Sequence, residues 1–162
     1  MRSVHAALAV VLLAMPAAAQ TAPAPAAFGV AERTAVLTVH AEGAQVYACK
    51  PSPDGRAAWS FREPIATLIS DGKTVGRHFA GPSWQIGDEV VKGRLAASAP
   101  GATEADIPWL KLDIVEHSGP GVLSGATLVL RLATHGGVLG GVCDTPGALR
   151  AEPYSADYVF LR

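Results

Sequence analysis

Trp109-Leu110-Lys111-Leu112-Asp113-Ile114-Val115-Glu116 is the stretch on which the fold turns. Leu110, Leu112 and Ile114 share one face of an extended chain and Lys111 and Asp113 take the other, the two-residue period of a strand with one wet side. Residues 127–134 repeat the pattern, with Leu128, Leu130 and Leu132 expected inward and Arg131 outward, and residues 118–121 supply the turn between the two strands. Residues 154–161 end the chain in the same way, with Tyr154, Ala156, Tyr158 and Phe160 on one face and Asp157 opposite, as a solvated residue or, alternatively, an inward partner of Arg131.

Working outward, residues 36–41 and 44–49 flank Glu42-Gly43, which reads as a tight hairpin. Trp59 and Phe61 alternate with Ser60 and Arg62. Residues 66–69 and 74–79 flank Asp71-Gly72, and residues 83–86 and 90–97 flank Gly87-Asp88, both with a glycine for the positive φ of a primed turn. After residue 28 no stretch holds a helical period for three turns; residues 103–106 can form one turn capped by Thr103. The prediction is an all-β domain, a single antiparallel β-sandwich or barrel of about eight to ten short strands.

The 162 residues are 49% apolar and 17% charged, with 13 Lys+Arg against 14 Asp+Glu, the composition of one folded domain over residues 28–162. The charges form no stripe able to neutralise a phosphate backbone or an anionic membrane, so neither nucleic acid nor a polybasic membrane contact is expected. At the start, Arg2, the apolar run 6–15, Pro16 and Ala17-Ala18-Ala19 compose a cleavable signal peptide over residues 1–19. A membrane anchor needs about twenty apolar residues and roughly ten are present. Residues 20–27, rich in Ala and Pro, read as a flexible leader. The expected location is periplasmic or extracellular.

Export makes Cys49 and Cys143 informative, because they are the only cysteines and an oxidising compartment favours a bridge; two separate buried thiols are the alternative. Other motifs are absent. No Gly-x-Ser-x-Gly elbow exists, the run Gly136-Gly137-Val138-Leu139-Gly140-Gly141 lacks the Lys-Ser/Thr of a phosphate loop and reads as a loop beside Cys143, and no His or Cys spacing frames a metal. No cofactor or bound metal is expected, and the oligomeric state is left open.

Several strings occur together in order: Gly43-Ala44-Gln45-Val46-Tyr47-Ala48-Cys49, Gly76-Arg77-His78-Phe79-Ala80-Gly81-Pro82-Ser83-Trp84, Ile107-Pro108-Trp109-Leu110, Thr134-His135-Gly136-Gly137 and Pro153-Tyr154-Ser155-Ala156-Asp157-Tyr158-Val159-Phe160. Over residues 35–160 the chain resembles the secreted domain-of-unknown-function family 3455 of bacteria and fungi. The strand before Thr134 departs from that pattern, reading Leu130-Arg131-Leu132-Ala133. The resemblance implies export, one domain and paired cysteines, and carries no activity to transfer.

The candidate site gathers Arg77, His78 and Trp84 around Gly81-Pro82, with His135 at another strand end. The expectation is that the turn presents His78 and Trp84 at a pocket mouth, where His78 contributes little to stability; the competing reading makes His78 a backbone-bonded turn residue and Trp84, like Trp59 and Trp109, a core anchor. Two imidazoles brought together with Arg77, Asp71 or Asp144 would bind an anion, hold a metal, or act as an acid/base pair near neutral pH. The leading functional expectation is binding of a small polar or amphipathic ligand. A hydrolase or isomerase using His78 and His135, and a cell-surface or structural interaction protein, are the alternatives.

Overall fold

The computed structural model describes residues 22–162 apart from Ser52 and Asp54, so the proposed signal peptide and the first two residues of the leader lie outside the described residues. Eight strands follow in order: β1 (Ala35–Pro51), β2 (Ala57–Ser70), β3 (Lys73–Phe79), β4 (Ser83–Ile86), β5 (Glu89–Ala99), β6 (Trp109–Ser118), β7 (Leu128–Gly136) and β8 (Leu149–Leu161). Each pairs antiparallel with the next, and β8 returns to β1, so the sheet closes on itself as an up-and-down barrel rather than a sandwich. Bulges between Val46 and Tyr47, Lys92 and Gly93, and Leu95 and Ala97 supply local bends of the kind closure needs.

Two turns form as the sequence indicates. Asp71 (φ 49°) and Gly72 (φ 72°) join β2 to β3 in the type I′ pattern, and Gly87 (φ 56°) opens the turn from β4 to β5. The hairpin expected at Glu42-Gly43 does not form. Both residues lie inside the 17-residue β1, with Gly43 opposite Ala66 of β2 on one side and Tyr154 of β8 on the other. Gly43 has no positive φ; a Cβ there would collide with the Ile65 carbonyl and Ala66, so this glycine permits close strand approach instead of a turn. Likewise residues 103–106 make a turn rather than a helix, tied by the Thr103 hydroxyl donating to Asp106 Oδ2 at 2.7 Å.

The lumen is packed with Val39, Leu68, Trp84, Val91, Leu112, Val129, Tyr158 and Phe160 among others. A second cluster lies on the outer wall, where Phe28 covers Leu128, Leu130, Leu132, Val159 and Leu161, with Ala24 and Trp109 packed against it. This reverses the phase expected for β7. Its leucines face outward under the N-terminal segment, while Val129 and Arg131 face the lumen. Apart from Arg131, residues 128–133 of β7 are apolar on both faces, and Arg131, which read as the outward marker, points inward. Within the expected leader Ala24 packs against this cluster, and at the first domain residue the Phe28 carbonyl accepts a hydrogen bond from Lys111 Nζ at 2.8 Å.

One end of the barrel is shut by the β6–β7 connection. Leu123 and Ala126 plug it, and the buried Glu89 carboxylate accepts hydrogen bonds from the Leu123 amide (2.7 Å) and the Ser124 hydroxyl (3.0 Å). The other end is open. There β3 and β4 stop at Phe79 and Ser83, level with Ala66 of β2 and Lys92 of β5, whereas β2 and β5 run on to Ala57 and Ala99. The wall is therefore notched above the short β3–β4 hairpin.

Candidate functional site

The notch leads into a cavity of about 690 Å³. From β1, Gln45 and Tyr47 face it; Phe61 and Pro64 of β2 and Leu95 of β5 flank the notch; Leu110, Leu112 and Arg131 form the far wall. The Tyr47 hydroxyl donates to the Gly137 carbonyl at 2.7 Å and the Phe61 ring meets Tyr47 edge-on, with centroids 5.8 Å apart. Gly137 carries φ 87° and lies where a Cβ would crowd Tyr154 and Gln45, so the double glycine lets the β7–β8 connection seat on the rim. The β5–β6 connection is pinned as firmly, since the Thr134 hydroxyl donates to the Ile107 carbonyl (2.6 Å) and the Gly136 amide to Asp106 Oδ1 (2.7 Å). The Cys49–Cys143 disulfide ties the β7–β8 connection back to β1, with Cα atoms 5.9 Å apart.

His78 lies at the cavity floor. Its side chain is 3% exposed and its ring stacks on Trp84 with centroids 4.6 Å apart and planes 10° apart; Tyr158 stands 4.9 Å away. Nδ1 donates to the Ser83 carbonyl at 2.9 Å, so Nε2 is the free acceptor of the neutral ring. Burial pulls the imidazole pKa down to about 4, with the Arg131 charge adding to the effect and the Ser83 bond opposing it. The Tyr154 and Tyr158 hydroxyls lie 3.4 Å apart, and burial pushes both phenols upward. Arg131 donates from Nε (3.0 Å) and Nη2 (2.9 Å) to the Pro108 carbonyl.

Of the four sequence candidates, His78 alone lines this cavity, and it does so as a packed floor residue rather than at an exposed mouth. Trp84, 1% exposed and paired with His78 across β3 and β4, supports the ring from behind. Arg77 is on the outer wall, bonded to Gln85 at 2.9 Å, with its guanidinium 4.9 Å above the Phe79 ring. His135 is exposed on a separate depression with Glu42 and Ser155, because a bulge between Leu132 and His135, with Ala133 at φ 47°, turns it outward. The two imidazoles do not share a cavity. Asp157 takes the solvated side, where it accepts from His40 Nδ1 at 2.9 Å, and does not meet Arg131.

Gln45, Tyr47 and Arg131 are the residues that sequence reasoning missed. Gln45 is in phase with Ala41, Gly43 and Tyr47, and Arg131 interrupts an apolar strand; the signal was present, but only the closed ring shows that they converge. A family model described as Protein of unknown function (DUF3455) matches residues 30–162. The chain belongs to the DUF3455 family. Neither a curated protein nor a solved structure matches it.

The buried imidazole makes this DUF3455 barrel sensitive to acid. Above pH 6.5 the ring is neutral whether the chain is folded or not; below it the unfolded chain binds a proton that the folded barrel refuses until about pH 4. Stability contributed by His78 is therefore lost as pH falls through that window, by up to about 3 kcal/mol. Urea denaturation at pH 7 and pH 4.5 checks this, and His78→Gln is expected to flatten the decline. An equal decline in both proteins would sink the assignment.

Proposed function

We propose that this DUF3455 protein is an exported binding barrel that takes a small amphipathic molecule at its open end. The observation that carries the reading is the 690 Å³ notched cavity, which joins an apolar wall to a few convergent polar groups. That volume falls within the roughly 300–1,000 Å³ of small-molecule sites, and an eight-stranded barrel has just enough interior for one such ligand. Phe61 and Leu95 are 50% and 59% exposed at the entrance, apolar surface that a ligand would cover. A neutral floor imidazole with its pKa near 4 favours holding a ligand over transferring protons at pH 7. Export is supported by the N-terminal signal pattern and by the disulfide; among the described residues no helix is long and apolar enough to cross a membrane.

Titration with the neutral fluorophore N-phenyl-1-naphthylamine tests the reading. Saturable one-site enhancement is expected, and Leu95→Ala, at a position exposed enough to leave folding intact, is expected to weaken it about tenfold by removing apolar contact worth about 1.4 kcal/mol. Non-saturating enhancement that ignores Leu95→Ala would overturn the proposal.

A further inference from the structure

Arg131 is the cavity's unmatched charge. The other two cations of the wall have carboxylate partners, Lys92 with Glu116 at 3.0 Å and Arg94 with Asp113 at 3.4 Å, whereas among the described ion pairs Arg131 has none. The buried carboxylate Glu89 sits at the shut end of the barrel, committed to Leu123 and Ser124. Two of the five guanidinium N–H donors go to the Pro108 carbonyl and a further one bonds the Tyr158 hydroxyl, which leaves the rest for an incoming acceptor. Independently, Gln45 is 2% exposed, lines the same cavity, and its amide nitrogen has no hydrogen-bond partner. A half-buried cation with no carboxylate partner and an unspent buried donor lining one cavity are each costly unless something satisfies them.

Resting on the binding reading above, we propose that the ligand is an amphipathic monocarboxylate, its carboxylate held by Arg131 and Gln45 and its apolar body lying against Leu110, Leu112 and Phe61 toward the notch. A carboxylate matches the guanidinium fork and accepts from the amide at once, which an ammonium group or a hydrocarbon end does not. The Arg131 charge is already felt in the lumen, since it helps hold the His78 ring neutral, and a cationic ligand would meet the same field with the wrong sign.

Displacement of N-phenyl-1-naphthylamine from the full-length mature protein by decanoate, methyl decanoate and decylamine at pH 7.5 tests this. Decanoate is expected to compete at least tenfold better than its methyl ester, the step a hydrogen bond to a charged group supplies, with decylamine weakest. In Arg131→Met the acid and ester are expected to compete within about twofold of each other while the fluorophore still binds. Gln45→Leu, should Arg131→Met fail to fold, is expected to narrow the acid preference about threefold. If the fluorophore binds but acid and ester tie in the unaltered protein, the carboxylate assignment falls and the binding barrel stands. If the fluorophore does not bind, both fall.

Discussion

Replacing Cys49 and Cys143 together with alanine is expected to lower the unfolding free energy by about 4 kcal/mol. The bridge spans 94 residues, two thirds of the described chain, and in the chain-entropy account a loop of that length removes roughly 4 to 5 kcal/mol of freedom from the unfolded state. The folded barrel loses little by its removal. The Gly147 amide still donates to the Cys49 carbonyl and the Cys143 amide to the Ala57 carbonyl, both at 2.9 Å, so the connection keeps its backbone anchors on β1 and β2. Guanidinium denaturation of the oxidised protein and the double variant measures the difference. A loss below about 1 kcal/mol would mean that the unfolded chain is constrained by something other than the bridge.

Trp84→Ala is expected to cost about 4 kcal/mol, in the upper part of the range for deleting a large buried aromatic. The indole is 1% exposed and central: His78 stacks on it, Tyr158 meets it edge-on at 5.4 Å and Phe160 at 6.0 Å. Gly93 lies against its rim, where any Cβ would already be 3.0 Å from Cζ3, so the neighbouring strand is fitted to the ring and a void would not close by simple collapse. The indole nitrogen has no partner, and Trp84→Phe therefore gives up no hydrogen bond and is expected to cost less than half as much. Equal losses for the two variants would show that the cost comes from losing the indole itself, whatever volume or ring replaces it.

The strands that were legible share one property: a face that is plainly polar. Lys111 and Asp113 in β6 and Asp157 in β8 mark the outer side, and Leu112 and Tyr158 accordingly point into the lumen. β7 misled because its one charged residue, Arg131, faces the cavity, while its outer leucines are covered by Phe28, a residue a hundred positions away whose docking leaves no trace in the β7 pattern. Glu42-Gly43 misled for a related reason. The same dipeptide serves a turn or a close strand approach, and the choice depends on Ala66 and Tyr154 pressing from both sides. At the site, the mixture of residues in Gly76–Trp84 pointed to His78, while its depth was hidden: whether a strand end lies at the rim or the floor depends on how far the flanking strands continue. Arg131 and Gln45 were illegible as a pair since they come to line one cavity only through ring closure.

That closure also fixes when the barrel can form. The first and last strands are partners along almost their whole lengths, from Ala35 opposite Leu161 to Ala48 opposite Leu149. A chain emerging from the ribosome exposes the edge of β1 until β8 has been made, and no product lacking β8 can bury both sides of that strand. Assembly is thus a whole-molecule event dominated by distant pairings, which makes it slow beside domains of the same size built from local contacts.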